Sequence, residues 1–128
     1  MCGLMSACGS PAWQGARPST IHAGVAEPKA GRLSFVEDDF AKAEAEARRT
    51  GRPIFVDAWA PWCHTCLSMR ALTLQDPNLG NATLANGTRL SDAFVWLSID
   101  TENPENAAFV ERFPNRVWPT LYVLCLLY

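Results

Sequence analysis

A chain of 128 residues holds one domain with its own core and is too short for two of ordinary size. With 48% apolar and 19% charged residues it is not a disordered polymer, and a net charge of −2 gives no electrostatic reason to expect nucleic acid or anionic lipid as partner. Phosphate-cradling loops of the GxGxxG or GxxxxGK[ST] kind are absent. The longest apolar run, LYVLCLLY, has eight residues where a membrane-spanning helix needs about 20, so no transmembrane span is expected.

Residues 1–32, rich in Gly, Ala, Ser and Pro, carry no sustained period and read as a flexible tail. Within it, LMSACGS resembles the lipobox of bacterial lipoproteins, with Ser6 and Ala7 before Cys8, a possible lipid anchor. Met5 stands where leucine is usual, and the residues before Cys8 leave no room for a basic segment plus an apolar stretch of about 7–15 residues. A late gene start would make the tail the remnant of a signal; a plain tail with incidental cysteines is the alternative.

The folded part, residues 33–128, is expected to open with a helix. SFVE has the form of a capping box, Ser34 with Glu37, and Val36, Phe40, Ala43 and Ala47 share one stripe behind it. Acidic residues fill the first turn, Arg48 and Arg49 close the last, and Gly51 stops it. PIFVDAWA then reads as a strand buried on both faces, with Trp59 in the core, and CLSMRALTL as a second helix. Residues 75–92 are loop-like, with a helical turn around Leu79 to Leu84; the NAT and NGT triplets there match glycosylation acceptors but suit turns equally. AFVWLSID is the next strand. A third helix follows, with Asn103 as N-cap, Pro104 at its first position and Phe109, Val110 and Phe113 on its apolar side. TLYVLCLLY is a last strand, with Cys125 a small buried hydrophobe in it. The alternation of helix and strand predicts an α/β sandwich.

Five cysteines, an odd and uneven set, do not make a disulfide-stapled mini-protein; only Cys63 and Cys66 are close in sequence. A thiol acts as a nucleophile only as thiolate, and a free cysteine titrates near 8.5. Placing Cys63 at the first turn of a helix supplies unpaired amides and partial positive charge that favour the anion. Cys66 then lies about one turn along, able to resolve a mixed disulfide. Half of a zinc site is the competitor, but His22, His64, Cys2, Cys8 and Cys125 supply no second pair at ligand spacing.

VDAWAPWCHTC, followed later by WPT, resembles the thioredoxin superfamily, over about Leu33 to Leu124. The WCHTC centre is similar to periplasmic thioredoxin-like domains, including the soluble end of bacterial transmembrane thiol:disulfide interchange proteins. The resemblance implies a central mixed sheet flanked by helices and a protein-disulfide oxidoreductase with no cofactor beyond its own cysteine pair. Its partners would be protein thiols and disulfides and an upstream electron donor or acceptor, and its place the bacterial cell envelope, with the cytoplasm as alternative. It implies that Cys63 is the exposed attacking thiol, Cys66 the buried resolving thiol, and Trp62 the aromatic shielding the site. Pro119 becomes a cis-proline beside the disulfide; sequence statistics alone favour a trans, strand-opening proline. Asp57 becomes a buried acid that exchanges a proton with Cys66, its pKa raised by burial, in place of an acid that reaches water or caps a helix. His64, carrying some positive charge beside Cys63, would make the disulfide more oxidising.

The sequence departs from the family in three places. The lysine that faces the buried acid in many thioredoxins aligns with Trp96, which implies an altered proton relay. Trp118 is bulkier than the usual residue before the proline, narrowing a substrate groove. The chain stops where the family adds a last strand and helix, so a weakly stable monomer is expected, without a cooperative melt above about 50 °C. A docking module that does not turn over, or a thiol-based metal carrier, is the rival function.

Overall fold

The computed structural model describes residues 31–126. Readings of Cys2, Cys8 and His22 therefore fall outside the described residues.

The first element is a strand, not a helix. β1 (Phe35–Glu37) pairs in parallel with a later strand, and α1 (Phe40–Thr50) begins only after it. The reason is visible in where the side chains go: Phe35 packs into one core cluster and Val36 into another, the period-2 alternation of a strand between two layers. Ser34 and Glu37 therefore form no capping box. Asp38 takes the turn with φ 53°, and Asp39 caps α1, its carboxylate accepting from the Lys42 amide at 2.9 Å. The acidic residues sit ahead of the first turn instead of inside it. The rest of the helix is as expected: Ala43 and Ala47 are buried, and Gly51 closes it in the left-handed region at φ 69°.

β2 (Ile54–Trp59) lies at the centre of the sheet, α2 (His64–Ala71) follows it, and a 3₁₀ turn (Thr73–Gln75) leads to α3 (Pro77–Asn81). The expected turn in the 75–92 segment thus falls on Pro77–Asn81, capped by Asp76 with proline at its start. Gly80 is required there, because a Cβ would lie 1.9 Å from the carbonyl oxygen of Gly31. A short α4 (Leu90–Ala93) takes up Ala93, so β3 is Val95–Asp100. Asn103 caps a 3₁₀ turn (Pro104–Asn106) that runs into α5 (Ala107–Arg112), and β4 is Thr120–Leu124. Cys125 lies beyond β4 and is exposed, contrary to the buried position expected of it.

Strand order is β1-β3-β2-β4, the first three parallel and β4 antiparallel to β2. One face, with Ile54, Val56, Leu97 and Ile99 fully buried, packs on Ala43, Ala47 and Phe109. Each such side chain contributes about 1.5–3 kcal/mol by leaving water. The other face carries an aromatic row: Phe35, Trp96 and Phe55 pair side by side, with Leu33, Met69 and Leu74 above them. One row further along the same face, the register aligns Glu37, Ser98, Asp57 and Leu121 across the four strands. That row is polar where its neighbour is aromatic.

Candidate active site

Cys63 is the N-cap of α2, at the end of the tight turn that leaves β2. Its sulfur accepts from the Cys66 amide at 3.1 Å, and the two cysteines are joined in a disulfide with Cα atoms 5.2 Å apart. The sulfur is thus bound by one of the amides that a helix start leaves free. Cys63 retains 6% of its surface and Cys66 none, so the order of access follows expectation although Cys63 is less open than "exposed" implies. Ala60 completes a small cluster with the pair, against which Trp59 and Trp118 pack. Trp62 is 57% exposed and meets Trp118 edge-on at 5.1 Å, so two indoles stand beside the disulfide. The Trp118 Nε1 donates to Thr101 Oγ1 at 2.9 Å, and Thr101 donates in turn to the Trp59 carbonyl at 3.0 Å. Trp118 is thereby fixed to the end of β3. The Trp118–Pro119 bond is cis, and β4 starts at the next residue. His64 opens α2 on the exposed side.

Asp57, in the middle of β2, is fully buried, and neither of its carboxylate oxygens has a hydrogen-bond partner among the described residues. It neither reaches water nor caps a helix. Burial raises its pKa above the usual carboxylate range, opposed by the positive charge of Arg70, whose Nη1 lies 3.6 Å from Oδ2. At that distance the contact is an ion pair, too long for a hydrogen bond.

Arg70 is not legible in the sequence as a site residue. It lies seven positions after Cys63 and four after Cys66, on the side of α2 that faces the sheet, and its guanidinium spans the polar row. It donates to Ser98 Oγ, reaches Glu37 Oε2 at 3.4 Å, and lies over the Trp59 ring at 4.1 Å from its centre. Trp59, read as plain core, is half-buried and forms the floor under this cation. Trp96 sits a row away against Phe55, at 4.7 Å between ring centres; the residue directly across from Asp57 is Ser98. The positive charge beside Asp57 comes from the helix, from Arg70. The one sequence signal for this is an arginine in the stripe that also carries Cys66, and its partners need the strand register.

A family model described as thioredoxin-like matches residues 36–124. The chain belongs to the thioredoxin-like family. It is 34% identical over 103 residues to the thiol:disulfide interchange protein DsbD of Pseudoalteromonas atlantica, a match that covers 77% of this chain and 16% of that protein. The chain therefore spans about one-sixth of the length of that curated relative. Among solved structures, a thioredoxin from Thermus thermophilus superposes with a TM-score of 0.54 at 23% identity, covering 71% of this chain and 63% of that one. The DsbD C-terminal domain of Neisseria meningitidis in its oxidised form gives 0.47 at 23% identity, covering 65% and 67%. The α/β architecture with a mixed four-stranded sheet is that of the thioredoxin fold. Among the described residues, no helix is long and apolar enough to cross a membrane.

Proposed function

We propose that this protein is a thiol:disulfide oxidoreductase that exchanges disulfides with protein partners through Cys63 and Cys66. The observation that carries the reading is the Cys63 sulfur capping α2 by accepting from the Cys66 amide, with Cys66 itself fully buried one turn along. In the reduced protein the Cys63 thiolate attacks a partner disulfide, forming a mixed disulfide and releasing one partner thiolate. Asp57 then takes the proton of the Cys66 thiol. The resulting thiolate attacks the Cys63 sulfur, the Cys63–Cys66 bond forms, and the second partner thiolate leaves and is protonated. The partner gains two electrons and the pair loses two. Run backwards, the same steps oxidise a dithiol.

Trp62 and Trp118 form an apolar wall beside the pair, suited to an extended segment of a protein partner. The pair needs no cofactor for this chemistry, only an upstream donor or acceptor to reset it. The similarity to an interchange protein supports a place in the bacterial cell envelope, in preference to the cytoplasm.

The test is reduction of insulin by dithiothreitol. The protein accelerates it, Cys63→Ser abolishes the acceleration, and Cys66→Ser accumulates a mixed disulfide that resolves slowly. An unaccelerated reaction with a fully reducible pair overturns the reading in favour of a docking module, and tight metal binding by the reduced pair points to a carrier. The redox potential sets direction: about −270 mV marks a reductant and about −120 mV an oxidant.

A further inference from the structure

We infer that Arg70 is the positioning residue of the proton relay: it holds Asp57 as a carboxylate inside the fold, and Glu37 limits how strongly it does so. The inference rests on the oxidoreductase reading for its purpose, but its geometry stands alone. Asp57 has no hydrogen-bond donor of its own, and a sealed carboxylate without one is driven to take up a proton. An acid that keeps its proton at neutral pH is unable to accept one from Cys66.

Arg70 is the group that opposes this. Its charge lies 3.6 Å from Asp57, and three further contacts fix its fork in place: Ser98 Oγ, the Trp59 ring and Glu37. A guanidinium suits the position because it stays charged and its planar face stacks on the indole. Every element against Asp57 bears on the balance. From α2 come Arg70 and the cysteine pair; from β1 comes Glu37; β3 offers the uncharged Ser98, and β4 the apolar Leu121. Asp100, a row further along β3 on the same face, is turned to local amides, its Oδ1 accepting from Glu102 N at 2.9 Å. Among the described residues, Glu37 is the only other charge in the row, and it competes with Asp57 for the same cation at 3.4 Å.

A recess of about 40 Å³ lined by Phe35, Glu37, Arg70, Leu74 and Gln75 lies on the Glu37 side of the guanidinium, enough for one water. Arg70 therefore stands between a sealed acid and a point where solvent reaches the row. This arrangement predicts effects of opposite sign. Removing the cation raises the Asp57 pKa; removing its competitor lowers it.

The experiment is a carbon-13 NMR titration of the Asp57 carboxyl in the oxidised protein, where neither sulfur titrates. Arg70→Met moves the midpoint up by about one pH unit or more, the usual effect of a close opposite charge. Arg70→Lys, which keeps a charge without the fork, falls between that variant and the parent. Glu37→Gln moves the midpoint down. An unchanged or lowered midpoint in Arg70→Met overturns the inference. Should that variant not fold, Glu37→Gln decides, and any result other than a downward shift overturns it. In turnover, the pH at which mixed-disulfide resolution sets in follows the same displacements, about tenfold in rate at fixed pH per unit. Because the titration uses no substrate, it tests Arg70 even in a protein that proves to have no reductase activity.

Discussion

A fully buried carboxylate with no hydrogen bond to either oxygen works against folding at neutral pH, and Asp57→Asn measures by how much. The substitution keeps the shape and removes the charge. In the unfolded chain an aspartate titrates near 3.9; in the folded protein burial raises Asp57 above that, Arg70 opposing. Between those two values the native state holds a proton that the unfolded state has lost, so stability falls as pH rises through the window. The loss is about 1.4 kcal/mol for each unit of elevation. At pH 4 the neutral form of Asp57 is at its most populated in this range, and the two proteins are closest in stability. Toward pH 8 the parent loses ground while the variant does not. A difference of about 1 kcal/mol, the low end for an unsatisfied buried group, opens a gap in melting temperature of roughly 4–8 °C for a domain of this size. The assay is thermal unfolding of both oxidised proteins from pH 4 to 8, read as their difference so that other titrations cancel. A difference that stays flat across this range, or an aspartate form that gains on the variant as pH rises, refutes the reasoning. The same variant should resolve mixed disulfides slowly, so stability and turnover move in opposite directions.

Gly80→Ala places a methyl 1.9 Å from the Gly31 carbonyl, so the chain at residue 31 must move; a loss of about 1–3 kcal/mol, typical of overpacking, is expected in the denaturant midpoint. Thr101→Val removes the acceptor of the Trp118 indole and should cost about 0.5–1.5 kcal/mol. It should also raise the KM for a protein disulfide more than it lowers kcat, and equal effects on both would argue against a positioning role for Trp118. His64→Pro, at a helix position where proline fits, should make the potential of the pair more negative by removing the imidazole beside Cys63; an unchanged potential in glutathione equilibration ends that idea.

The sequence carried what is local. A thiol at the first turn of a helix, its mate a turn later, a glycine closing α1 and a doubly buried β2 are all set by spacing and by short-range chemistry, and each could be read without knowing the fold. Strand pairing could not be. Val36 falls on a helical stripe with Phe40 as readily as it fits a strand, and only the parallel pairing of Phe35–Glu37 with β3 decides between them. Ser34 and Glu37 have the letters of a capping box, but the backbone turns at Asp38 and gives the cap to Asp39. Cys125 reads as internal to a strand that in fact ends one residue earlier. The polar row is invisible for the same reason as β1. Glu37, Asp57, Arg70 and Ser98 come from four elements, and no periodicity within one element reports on the others.

What the register adds is a reason for the helix to matter twice. The first turn of α2 binds the Cys63 sulfur, and its last turn presents Arg70 to Asp57. An arginine there also complements the negative end of the helix dipole, as the thiolate complements the positive end. The nucleophile and the charge that governs the proton acceptor thus sit at the two ends of one helix, Cys63 as its N-cap and Arg70 in its last turn. A cation placed on β3, at the position of Trp96, would leave Asp57 fixed relative to the sheet whatever α2 did. With the cation on α2, any displacement of the helix as the Cys63–Cys66 bond opens or closes also changes the distance from Arg70 to Asp57, and with it the affinity of the acid for its proton. Comparing the Asp57 titration in the oxidised protein with that in a Cys63→Ser/Cys66→Ser double variant isolates this coupling. A midpoint that is the same in both shows that the helix does not move, and the link between bond and proton is then absent.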